Sequence, residues 1–166
     1  HGHRIGDMLL EKVAQRLETL CEQSGYMVYR LGGDEFAIIT TTDNRAEHEV
    51  LANAIIREIE KPYRFNENMS LRIGVSMGIA FCPEHGRDGD ALLARADMAL
   101  YTAKNAGRGT FRIFEEMMER RLHDHMKLET ALREALATGD NIYVFYQPIV
   151  DILTGQTTAR EALLRW

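Results

Sequence analysis

Apolar residues of this 166-residue chain recur at helical spacing in four stretches, with β-prone runs between them. Ile5, Leu9, Val13, Leu17 and Leu20 predict an amphipathic helix over 5–23, ended by Gly25. Two apolar runs follow, Tyr26-Met27-Val28-Tyr29 and Phe36-Ala37-Ile38-Ile39, separated by Arg30-Leu31-Gly32-Gly33-Asp34-Glu35. They predict a hairpin of strands 26–31 and 34–40, turning on a two-residue Gly-Gly connection. Asp43 is the expected N-cap of a second helix over 44–60, with Ala46, Val50, Ala54 and Ile55 inward and Pro62 beyond its end. Tyr63-Arg64-Phe65 and a long run from Leu71 to Phe81 predict a second hairpin around Asn66-Glu67-Asn68. A third helix over 90–106 carries Leu92, Leu93, Ala96, Ala99, Leu100 and Ala103 on one side, with Gly107 as its cap. Phe111 to Phe114 is a short strand.

From Glu115 the character changes. Residues 115–138 are charge-rich and helical, with Leu128, Leu132 and Leu136 four apart, and Thr138-Gly139-Asp140-Asn141 breaks them. Two β-like runs close the chain, Ile142 to Leu153 and Thr157 to Trp166, joined through Thr154-Gly155-Gln156.

A hydrophobic content of 45% and a charged content of 27% are ordinary for a globular chain, and the length suits one domain with part of another. The formal charge of −5 argues against a nucleic-acid polymer as partner, which needs a basic face. It leaves a nucleotide open, because one or two placed cations hold phosphates. Cys21 and Cys82, far apart on apolar segments, are expected to be buried free thiols in a reducing cytosol. There is no apolar run of membrane-spanning length and no secretory pattern, so no membrane contact is expected from this segment. His123 and His125 lie two apart on a helix, hence on different faces, which argues against zinc.

The string Arg30 to Phe36 resembles the signature of the GGDEF family, the diguanylate cyclases that condense two GTP into cyclic di-GMP. Gly2-His3-Arg4-Ile5-Gly6-Asp7, Gly74 to Ala80 (GVSMGIA) and Ala96 to Arg108 (ADMALYTAKNAGR) are similar to three further motifs of that family, in its order. The resemblance implies an α/β (α+β) fold, a nucleotidyl-cyclase-like, ferredoxin-like palm sheet flanked by helices, over residues 1–114. It also implies that the family's first strand and helix, bearing one metal-binding aspartate and a guanine-binding asparagine, would precede His1. Residues 115–138 then read as a helical linker.

The site residues follow from the same resemblance. Asp34 and Glu35 are the expected catalytic and metal-binding carboxylates for Mg²⁺ (or Mn²⁺), Glu35 as the firmer ligand. Gly32 and Gly33 let the backbone approach nucleotide phosphates. Asp7 matches the residue reading the guanine edge. Lys104 and Arg108, four apart and expected on one helix face, match the residues on the terminal phosphates. GTP and cyclic di-GMP are the implied ligands, a homodimer the implied assembly, and the cytoplasm the implied location. A GTP-binding regulatory module that forms no product is the alternative, and a purely structural dimerisation unit a third.

Tyr146-Gln147-Pro148-Ile149-Val150 and Glu161-Ala162-Leu163-Leu164-Arg165-Trp166 resemble the opening of an EAL domain, the cyclic di-GMP phosphodiesterase module. Residues 139–166 are therefore expected to be an incomplete, inactive start of that domain, with Gln147, Glu161 and Arg165 as vestiges of its site. Two departures from the GGDEF pattern matter. The place of the family's RxxD product-inhibition motif reads Gln23-Ser24-Gly25-Tyr26, so feedback through it is expected to be absent. The missing strand leaves edges unpaired, and the β-prone run 142–150 is expected to fill the gap, in place or by swapping between chains.

Overall fold

The computed structural model describes residues 3–22, 24–42, 44–67 and 69–166. The chain divides into two compact units, His1–Met118 and Glu119–Trp166. The first unit opens with α1 (His3–Glu22), followed by β1 (Met27–Gly32), β2 (Glu35–Ile39) and α2 (Arg45–Ile59). Then come β3 (Tyr63–Asn66), β4 (Met69–Leu71), β5 (Met77–Ile79), α3 (Gly89–Asn105) and β6 (Phe111–Ile113). Helix α4 (Glu116–Thr138) starts at the end of this unit, and β7 (Tyr143–Val150) and β8 (Thr157–Arg165) belong to the second.

Side-chain caps set the helix starts. Asn44, not Asp43, is the N-cap of α2: its side-chain oxygen accepts from the Ala46 N–H at 3.1 Å, and its amide donates to Glu47 at 2.9 Å. Asp43 itself lies outside the described residues. Asp88 caps α3 by accepting from the Ala91 N–H at 2.8 Å. Gly25, at φ +67°, makes the left-handed turn that releases the chain from α1 into β1.

The main core joins α1, α2 and β3 through Val13, Leu17, Ile55, Ile59 and Tyr63. Val28, Phe36 and Ile38 of the first hairpin and Ile73, Val75 and Met77 pack against it. The inward face of α2 differs from expectation. It is His48, Ala52, Ile55, Ile56 and Ile59, while Ala46 is exposed and Val50 is 67% exposed. Leu93 of α3 also faces solvent. Arg16 supplies a polar tie that periodicity does not reveal. Its guanidinium donates to the carbonyls of Glu58 (2.8 Å), Lys61 (2.8 Å) and Pro62 (2.9 Å), holding α1 to the end of α2, and lies 3.7 Å over the Tyr63 ring. Burial pushes the Tyr63 phenol and the Cys21 thiol up from their ordinary values. Cys82, expected to be buried, is exposed.

The described strands pair two by two: β1–β2, β3–β4 and β7–β8 antiparallel, and β5–β6 parallel. The expected long strand from Leu71 to Phe81 is divided. Its start, β4, pairs with β3, and its end, β5, pairs with β6 across α3. Parallel neighbours need such a crossover helix. Gly78 makes the crossover compact: a Cβ there would fall 1.9 Å from the Ala96 carbonyl oxygen and 2.5 Å from the Leu100 nitrogen. A second core forms beside it from Ala99, Phe114 and Met118.

In the second unit β7 and β8 form a hairpin closed by Asp151, whose carboxylate accepts from the N–H groups of Leu153 (2.9 Å) and Thr154 (2.8 Å) and from the Thr154 hydroxyl (3.0 Å). Among the described residues β7 is bonded to β8 alone, so the run 142–150 does not fill a place in the first unit's sheets within this chain.

Candidate functional site

The first hairpin turns one residue later than the Gly-Gly pair suggests. Gly32 is paired with Glu35, so the two-residue loop is Gly33-Asp34. Gly33 has φ +52°, and Asp34 is not among the residues of positive φ, the arrangement of a type II′ turn with glycine at its first central position. The register shifts between Arg30 and Gly32, leaving Leu31 as a bulge. Such bulges re-aim the side chains beside them.

Gly33 is explained by its backbone; Gly32 is not. Its φ is not left-handed, and a Cβ there would meet nothing within 4 Å. Among the described residues no atom requires position 32 to lack a side chain. In β2, Phe36 and Ile38 share the face that packs on the core, so Glu35 belongs to the opposite face with Ala37 and Ile39. Asp34 stands in the turn itself, and both carboxylates are exposed. The Arg30 guanidinium donates twice to the Gly33 carbonyl, from Nε at 3.1 Å and Nη2 at 2.8 Å. This contact was not anticipated from sequence; an arginine three residues before a turn glycine is its only trace.

Among the described residues no group of three or more His, Cys, Asp or Glu side chains could enclose a metal ion. Asp34 and Glu35 nonetheless fit the hard-oxygen chemistry of Mg²⁺, which is commonly held by one or two carboxylates and completed by substrate phosphates.

Asp7 lies exposed on α1. Lys104 occupies the last turn of α3, exposed. Arg108 does not share its helix face, because α3 ends at Asn105 with Ala106 as its cap. Arg108 itself has φ +63°, between Gly107 at +110° and Gly109 at +59°. A non-glycine residue in the left-handed region is strained, so this segment is held in an unusual shape just past a cation-bearing helix end. Ser24, Gly25 and Tyr26 form the turn between α1 and β1, and Gln23 lies outside the described residues. In the second unit, Gln147 is directly opposite Glu161, and Arg165 follows four residues along β8, so these three share one face of the hairpin.

One small α/β unit bears both the exposed acidic glycine hairpin and the cationic end of α3. The match is specific: the family model described as "Diguanylate cyclase, GGDEF domain" covers residues 1–110, and the chain belongs to the GGDEF family. It is 36% identical to the cyclic di-GMP phosphodiesterase PdeR of Escherichia coli over all of its length and 24% of that protein's. It is 35% identical to the bifunctional diguanylate cyclase/cyclic di-GMP phosphodiesterase MucR of Pseudomonas aeruginosa, again over all of its length and 24% of that protein's. A solved form of TpbB from Pseudomonas aeruginosa comprising only the GGDEF domain superimposes with a TM-score of 0.67 at 36% identity, covering 74% of this chain and 71% of that one. The chain thus spans about a quarter of these two curated relatives. Among the described residues no helix is long and apolar enough to cross a membrane.

Proposed function

We propose that this chain is the GTP-handling part of a diguanylate cyclase domain, working as a homodimer in the cytoplasm, within a longer GGDEF–EAL signalling protein. Two GTP molecules meet face to face. The ribose 3′ oxygen of each attacks the α-phosphorus of the other, giving cyclic di-GMP and two pyrophosphates. Such chemistry asks for positioning and charge neutralisation more than covalent help. A magnesium (or manganese) ion would be held by Glu35 with Asp34 and would supply charge neutralisation at the phosphates. The hairpin backbone at Gly32 and Gly33 approaches those phosphates, Lys104 and Arg108 take the terminal ones, and Asp7 reads the guanine N1–H and N2 amino group. Gln147, Glu161 and Arg165 belong to a phosphodiesterase site that needs further residues.

The observation carrying this reading is Gly32, a residue with open space around it and no backbone reason to be glycine. Gly6, Gly74 and Gly89 are equally open, and what points to a ligand at Gly32 is its place beside the exposed carboxylates of Asp34 and Glu35. The test is incubation of the full-length protein with GTP and Mg²⁺, with cyclic di-GMP sought by mass spectrometry. Product is expected from the wild type and a loss of at least ~10²-fold from Glu35→Gln. Equal product from both proteins would remove the mechanism.

A second reading is a GTP-binding module that forms no product and tunes an adjacent phosphodiesterase. Similarity to a protein named as a phosphodiesterase favours it. Tight GTP binding without turnover would select it.

A further inference from the structure

We infer that Arg30 is a positioning residue, one that sets the orientation of the Gly33–Asp34 peptide and so the direction in which the turn presents its N–H. The inference rests on the nucleotide-binding reading above and adds a residue to it.

A two-residue hairpin loop has one soft element, its central peptide. Primed turns of the two common types differ chiefly by a flip of that unit, and a glycine at the first central position permits either. Here the central peptide joins Gly33 to Asp34. Its carbonyl oxygen is taken by two N–H donors of a single guanidinium, at 3.1 Å and 2.8 Å. Charge-assisted bonds are the stronger kind, and the planar donor set fixes direction as well as distance. In a trans peptide the N–H points opposite to the carbonyl. Holding the Gly33 oxygen toward Arg30 therefore turns the Asp34 N–H away from it, outward from the turn.

The bulge is where register is least specified. Leu31 has no partner in it, lying between the Arg30–Phe36 and Gly32–Glu35 pairs. A slip of one residue would carry Glu35 to the face now occupied by Phe36. Arg30 pairs with Phe36 through its backbone and reaches the turn with its side chain, so it spans the irregular stretch from both sides. Direct contact of Arg30 with nucleotide phosphate is the competing role. It would free the Gly33 carbonyl and appear as lost affinity instead of lost turnover.

Arg30→Ala and Arg30→Lys in the full-length protein separate these outcomes. The readouts are steady-state kinetics with Mg²⁺ and GTP, thermal unfolding, and hydrogen exchange of peptides covering the hairpin. Positioning predicts that Arg30→Ala lowers kcat by ~10–100-fold, approaching the cost of an ångström of misplacement, with KM changed less than about threefold. Hairpin exchange should rise, the melting temperature should hold within about 2 °C, and Arg30→Lys should restore turnover only in part. A raised KM at unchanged kcat, or full rescue by lysine, would overturn the inference in favour of direct phosphate contact. A melting-temperature loss that accounts for the activity loss would make Arg30 merely structural. If the wild type forms no product, the enzyme reading fails, and the clamp is judged on exchange alone: unchanged exchange in Arg30→Ala overturns it.

Discussion

Two of the hairpins, β1–β2 and β7–β8, differ in what holds them. In the first, one face packs on the core through Val28, Phe36 and Ile38, the other leaves Met27, Tyr29 and Ile39 exposed beside Glu35, and Arg30 ties the Gly33-Asp34 turn. In the second, both faces are largely exposed, with Tyr143, Phe145 and Ile149 beside Gln147, Glu161 and Arg165 on one side and Val144, Tyr146 and Leu164 on the other. Its turn is closed by its own side chain, Asp151. An apolar sheet face is patterned for burial against another layer, and polar residues set into it mark where chemistry can sit. The first hairpin is anchored to the core of its own unit; the second is held by its own pairing and turn.

The sharpest way to break this contrast is at Gly78. An alanine there would drive its methyl into the backbone of α3, which cannot yield as a side chain would. Gly78→Ala should destabilise the first unit by ~3 kcal/mol or more, about 10 °C or more in melting temperature. Hydrogen exchange in β7 and β8 should be unchanged. Equal loosening of both hairpins would show that the two units do not behave separately.

Acid should separate the units by pH. His85 is buried between the rings of Phe81 and Phe114, and its Nδ1 accepts from the Phe81 N–H at 3.0 Å. Burial, aided by Arg45 and Arg95 and opposed by Glu84, holds its pKa below the ordinary 6.5. The folded state therefore binds fewer protons here than the unfolded one. The stabilisation is complete above the ordinary value and declines as pH falls below it, down to the lowered folded value. Glu84, lowered chiefly by its hydrogen bond to Arg45, adds a loss only below its ordinary 4.5. In the second unit Asp151, held down first by the backbone N–H of Thr154, loses its contribution only below 3.8. Chemical denaturation at pH 7.5 and 5.5 should show weakening confined to the first unit and removed by His85→Gln. A first unit equally stable at both values would contradict this assignment.

Much of this architecture was legible because local rules and packing agree. The α1 stripe of Leu9, Val13, Leu17 and Leu20 faces the core, and both hairpins lie where β-prone runs meet turn residues. What failed was decided by distant partners. In α2 the buried stripe runs through His48, Ala52, Ile55, Ile56 and Ile59, and Val50 falls on the other side of the helix. The run from Leu71 to Phe81 reads as one strand, yet its two ends answer to β3 and β6. Arg108 continues the spacing of α3, but the helix stops before it and the backbone turns left-handed. At the site, the acidic pair and its glycines were readable as a motif. Arg16 and Arg30 were not, because a long polar side chain bonding to a carbonyl leaves no period in the sequence.

Gly32→Ala tests the central claim most directly, because it changes the room offered to a ligand and, among the described residues, meets nothing within 4 Å. Equilibrium titration of the full-length protein with a fluorescent GTP analogue and Mg²⁺, run beside thermal unfolding, reads both quantities. The account predicts affinity weakened by about tenfold or more, the ~1.4 kcal/mol of one obstructed phosphate contact, with a melting temperature unchanged within about 2 °C. Undiminished binding by a folded Gly32→Ala protein would contradict it.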